Sequence, residues 1–148
     1  MSRINYVSNV WGSCSDVHIR KLKSVHKRAV KVLCAVSPML TGRGLISYGL
    51  LPLKEHLQYD TCILVHKVIH NKSLEYLRQL VHAEARSDHS SQNSILILPN
   101  TRIDIYKMCF SYSGSFCWNA LPRSLKRACL VSTFKSKARQ HFRADCNS

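Results

Sequence analysis

Acidic residues are what this chain has least of. Eight Asp and Glu stand against 22 Lys and Arg, a formal charge of +14. The eight (Asp16, Glu55, Asp60, Glu75, Glu84, Asp88, Asp104 and Asp145) are each isolated in sequence. No carboxylate cluster is therefore in evidence to hold two divalent metals about 4 Å apart for phosphoryl transfer. No apolar run approaches the roughly 20 residues a membrane-spanning helix needs, and no basic-apolar-small leader opens the chain. The seven cysteines (14, 34, 62, 109, 117, 129 and 146) include no Cys-x-x-Cys pair. Scattered in this way, they read as reduced thiols in or near a core, which predicts an intracellular protein, cytoplasmic or nuclear, and not a secreted one. Internal repeats and low-complexity tracts are absent too.

The same scarcity bears on chemistry. Cys62, His66 and His70 fall at i, i+4 and i+8, but a structural zinc site needs four ligands, usually in tight pairs, and no second pair is at hand. Satisfied or solvent-facing histidines are the expectation. No signature orients a Cys/His nucleophile, and Gly42-Arg43-Gly44 is too short to cradle phosphate. The sequence thus predicts no catalysis, no cofactor, no metal and no small-molecule substrate.

What is present is an apolar fraction of 45%, in the globular range, and a pI near 9.8. Such a field favours polyanions, of which nucleic acid is the commonest inside cells. A membrane partner is not expected.

Periodicity predicts a mainly α-helical fold with a minor β-hairpin in the C-terminal half. The expected division is a helical region over 1–82, a flexible linker over 83–94, and a hairpin with helices over 95–148. Ser15 is placed to cap a first helix running to about Val36, with Leu22, Val25, Ala29, Val32, Leu33 and Val36 as its buried stripe. Its other arc holds Arg20, Lys23, Lys27, Arg28 and Lys31, with Lys21 at the edge and no acidic residue four positions on. Ser37-Pro38 ends this helix. Pro52 suits the start of a second helix, apolar on more than one face and hence central, with Asn71 as its C-cap. A short third helix is expected from Ser73 to His82. Ile95-Leu96-Ile97-Leu98 reads as a strand, able to pair with the loosely alternating residues from Thr101 to Cys109. A short helix from Ser111 through Trp118 should stop at Pro122, and Ser132 should cap a last helix with Phe134, Ala138 and Phe142 inside.

Several landmarks carry a resemblance. Asn5 to Gly12 (NYVSNVWG), His26 to Leu33 (HKRAVKVL) and Leu50-Leu51-Pro52-Leu53 stand in the front half. Behind them come the aromatics Phe110, Tyr112 and Phe116, then Trp118-Asn119-Ala120-Leu121-Pro122, then Ser132-Thr133-Phe134-Lys135-Ser136-Lys137. In this order they resemble the thumb end and C-terminal tail of a LINE-type (non-LTR) retrotransposon reverse transcriptase, an RNA-directed DNA polymerase. The resemblance spans nearly the whole chain and rests mostly on packing residues. It implies a fragment whose fingers, palm and endonuclease would precede Met1, and whose catalytic aspartates are absent here. It also implies that the polyanion is RNA or an RNA–DNA hybrid.

The candidate contacts are Arg20, Lys23, Lys27, Arg28 and Lys31, then Arg123, Lys126 and Arg127, then Lys135, Lys137 and Arg139. If folding gathers these three segments on one side, they form a groove for a sugar-phosphate backbone, with Tyr106, Tyr112 or Trp118 available to stack on bases. For Trp118 a core position beside Leu121 and Phe134 is the stronger expectation. Two rival readings stand beside this one: an element that docks onto the missing fingers and palm, and a transposon relic with no function of its own.

Overall fold

The computed structural model describes residues 16–33, 51–73, 75–81 and 95–145. The expectations for residues 5–15, 34–50, 74 and 82–94, and for the side chains of Lys31 and Leu33, fall outside them. Six helices and one 3-10 turn follow in order: α1 (Asp16–Leu33), α2 (Leu53–Ile69), α3 (Glu75–Leu80), the 3-10 turn Asp104–Met108, α4 (Phe110–Ala120), α5 (Arg123–Lys126) and α6 (Val131–Asp145). The fold is mainly α, as the periodicity predicts.

α2 is the centre, packed on one side against α4 and on another against α6. Leu53, Cys62, Val65, His66 and Val68 are its deepest residues, and no single stripe contains them all. Its ends follow local rules. Pro52 precedes the first turn and its carbonyl accepts from the His56 N–H at 2.9 Å. At the other end Asn71 takes φ 55°, a left-handed conformation that asparagine tolerates. The Lys72 N–H reaches the Lys67 carbonyl at 2.8 Å and the Asn71 N–H reaches Val68 at 3.2 Å, the paired closure of a Schellman motif.

α6 runs antiparallel to α2. Tyr59 meets Phe142 edge-on at 6.3 Å, and His66 stacks on Phe134 at 4.3 Å. Phe134, Ala138 and Phe142, one turn apart, are its buried side, matching the expected face. The helix begins at Val131, with the Phe134 N–H donated to the Leu130 carbonyl, so Ser132 lies inside the first turn and not at the cap. α4 starts at Phe110 and ends at Ala120, close to the expected limits. It approaches α2 at Gly114, where a Cβ would stand 3.0 Å from Val65 Cγ2 and 3.2 Å from Phe110 Cε2. Only a glycine permits that approach without displacing a neighbour. Trp118 is 1% exposed, held between His66 and Phe134 with ring centroids 6.2 and 5.8 Å away. It is core, which removes it from the stacking candidates.

Beyond the Ser132 cap, three further expectations are corrected. First, the described residues contain no strand, so the hairpin does not form. Residues 95–98 are extended, but Leu96 pairs with a side chain: its N–H donates to Asn119 Oδ1 at 3.0 Å and its carbonyl accepts from Asn119 Nδ2 at 2.8 Å. One carboxamide thus supplies both hydrogen bonds a neighbouring strand would offer. Residues 104–108 coil into the 3-10 turn, which leaves Ile105 75% exposed. A short apolar run cannot by itself specify a strand partner. Second, α3 is only Glu75–Leu80 and buries none of its residues; it is Val81, just beyond its end, that enters the core.

Third, α1 is rolled from its expected orientation. Ile19, Leu22 and His26 are its half-buried residues, while Val25, Ala29 and Val32 face outward, Val32 at 77% exposure. At 100° per residue the inner side is displaced by about 70° from the apolar stripe. His56, near the start of α2, lies close enough to this side that, after burial, it holds the His26 imidazole below its ordinary basicity.

Candidate nucleic-acid interface

The antiparallel pair α2 and α6 orders the cations. At the C-terminal end of α2, Lys72 Nζ donates to the Cys129 carbonyl at 3.4 Å. That ties it to the segment leaving α5, which carries Arg123, Lys126 and Arg127. Lys72 was not among the sequence candidates, since it is isolated from the basic runs and only tertiary contact brings it to them. Its influence on His66 and His70 was likewise invisible. Lys126 is half-buried, and its Nζ donates to the Asn119 carbonyl at 3.1 Å. Burial first, and the nearby Arg123 second, lower its affinity for a proton. Lys126 therefore works partly as the cap of α4, its ammonium already committed to a backbone carbonyl.

Lys135 follows Phe134, whose ring lies on His66, so it stands near this first end. Arg139 is one turn further along α6 and close to Tyr59, where its charge works against the burial that raises the Tyr59 phenol. Lys135 and Arg139 are separated by about 40° round α6 and lie on one flank; Lys137 is about 200° from Lys135 and lies on the other. α1 meets α2 near His56. Arg20, Lys23 and Lys27 span about 60° of its surface, while Arg28 lies about 100° beyond Lys27. All four are exposed.

Along the α2–α6 pair the basic segments thus fall in order, a strip of positions with Lys72 and the α5 segment at one end, Lys135 and Arg139 on α6, and α1 nearest the His56 end. The eight residue steps of α6 from Phe134 to Phe142 beside it span about 12 Å. Lys137 is off this strip and Lys126 is half withdrawn. The nine exposed candidates, Arg20, Lys23, Lys27, Arg28, Arg123, Arg127, Lys135, Lys137 and Arg139, make no ion pair with any described residue. The described ion pairs are His56 with Asp60, Arg78 with Glu75, and Lys107 with Asp104.

The histidine and thiol candidates resolve into packing. His66 is fully buried, with Nε2–H donated to the Ala128 carbonyl at 2.6 Å and Nδ1 without a partner. Burial foremost, with His70 and Lys72 adding like charge, keeps it neutral against the opposing pull of that carbonyl. His70 is shifted the same way by burial and Lys72. Burial, reinforced by Cys117, drives the Cys62 thiol far up, and burial raises Cys117 also. Both are held as thiols, a poor state for a nucleophile. Cys62, Cys109, Cys117 and Cys129 form no disulfide. Among the described residues no three His, Cys, Asp or Glu converge on a point, and no helix is long and apolar enough to cross a membrane.

Comparison with known protein families, with curated proteins and with solved structures finds no match to this chain.

Proposed function

We propose that the chain is a non-catalytic nucleic-acid-binding element, equivalent to the thumb end and tail of a non-LTR retrotransposon reverse transcriptase, which holds RNA or an RNA–DNA hybrid by its phosphates. One observation carries this reading: nine candidate cations are exposed and none makes an ion pair with a described carboxylate, and their order along α2 and α6 would let them act as one strip. Unpaired surface cations in such excess raise the local concentration of a polyanion and gain from counterion release when it binds. The sequence resemblance supports the choice of RNA or hybrid as that polyanion.

The test is a titration of the chain against labelled RNA at several salt concentrations. With about four phosphates neutralised, log affinity should fall with log salt at a slope of roughly −3 to −4. A flat response would overturn the reading. Replacing Lys23 and Lys27 with glutamine should make the slope shallower if α1 belongs to the strip.

A second reading has its own support. Ile95, Ile97, Leu98, Ile103, Ile105 and Met108 are all exposed, more clustered apolar surface than a solvated segment usually shows. This favours a docking element that seats on the palm and fingers of a parent polymerase. On that reading the isolated chain self-associates at low salt and RNA binding is weak.

A further inference from the structure

We propose that Tyr112 and Phe116 form a stacking platform for unpaired nucleobases, so that the polymer held at this interface is engaged as a single strand. The proposal rests on the nucleic-acid reading above and narrows it, since duplex and single strand share the same phosphates.

The two residues are one turn apart on α4, their ring planes only 7° from parallel and their centroids 6.4 Å apart. The inner side of α4 is Ser111, Gly114, Ser115 and Trp118. Tyr112 is half-buried and Phe116 is 57% exposed. Of the other large aromatics of this half, Trp118, Phe134 and Phe142 are buried and Phe110 is half-buried against the core. Two parallel rings left outside therefore present flat π surface to solvent, which every base can match and which costs the chain apolar exposure until it is covered. Tyr106, 47% exposed, stands on the 3-10 turn packed against α4.

Charge surrounds the row. Lys107 is close enough to interact with Tyr112, although Asp104 engages it at 2.7 Å. In the other direction α4 ends at Ala120, and exposed Arg123 follows within the next turn, beside the Lys126 that caps the helix. From Tyr112 to Ala120 is about 12 Å, so the rings lie within a few nucleotides of the α5 end of the cation strip. No acidic residue lies on α4. In a duplex the base faces are covered by their own stack, so only an unpaired strand offers them to these rings. An aliphatic protein partner would draw instead on Ile103 and Ile105.

The experiment compares a labelled 12-nucleotide uridine-rich single strand with a 12-base-pair RNA duplex, for the full chain and for Tyr112→Leu/Phe116→Leu. The variant should bind the single strand about tenfold more weakly, the worth of one base–aromatic stack, with an unchanged salt slope and unchanged duplex affinity. Equal losses for both probes, no loss for either, or a parent chain that prefers duplex would overturn the platform. A flat salt response in the parent chain would instead overturn the underlying phosphate reading. Because the double variant could perturb folding, Phe116→Trp provides a second measurement: it should keep its affinity, and its indole emission should be quenched by the oligonucleotide. Unquenched emission at saturating RNA would also overturn the platform.

Discussion

α1 and α2 are nearly equal in length, 18 and 17 residues, and they differ in what their apolar residues meet. α2 is apolar on several sides that find partners, so Leu53, Cys62, Val65 and Val68 go inward as their hydropathy suggests, and only His66 departs from it. α1 has the cleaner amphipathic stripe, yet it is turned so that Val25 and Val32 face water and a histidine faces in. A helix with a clear stripe is thus the one whose orientation was misjudged. Amphipathicity states which face would gain from burial; the neighbours available decide which face is buried.

The sharpest break of this comparison is Phe134→Ala. Phe134 is fully buried, stacked on His66 and tilted against Trp118, so the cavity should cost about 3–5 kcal/mol. Urea unfolding would register this as a lowered midpoint; a loss under 1 kcal/mol would mean that the α2–α4–α6 contacts are not the centre of stability.

A gentler probe is acid. His66, His70 and His26 all have folded-state basicity depressed below the ordinary value of 6.5. The unfolded chain therefore binds more protons than the folded one just below that value, and stability falls as pH drops through it. Above about pH 6.5 the penalty vanishes, since both states are neutral. Urea midpoints at pH 7.5 and 5.0 should show this decline, and His66→Gln should show a smaller one. An identical pH dependence in the variant would exclude His66 as a contributor.

The smallest expected effect is at Val32→Gln on α1, within about 0.5 kcal/mol of the parent, as for most surface positions. A loss of 2 kcal/mol or more would show that the outward stripe is covered in solution.

The exposure of the candidate residues was legible in the sequence, but unevenly. Exposure of the basic residues on α1 and α6 follows from periodicity, because charged groups avoid burial without partners. Lys126 broke that rule because its ammonium found the Asn119 carbonyl. Lys137 and Lys135 are two positions apart in sequence, yet a helix sends them to opposite flanks. Lys72 was missed since its association with α5 spans more than fifty residues. The Trp118–Pro122 motif is a further case: its tryptophan was expected in the core, but nothing local indicates that Asn119 substitutes for a strand by holding Leu96.

Composition and periodicity settled that the chain is cationic, mainly helical and built around the helix beginning after Pro52, because charge and hydrophobic spacing are properties of residues and their near neighbours. Long-range packing settled the roll of α1, the loss of the hairpin, the burial of His66 and Trp118, and the emergence of Tyr112 and Phe116 as paired surface rings. Each of these depends on which distant group occupies the adjoining space, and local spacing carries no record of it.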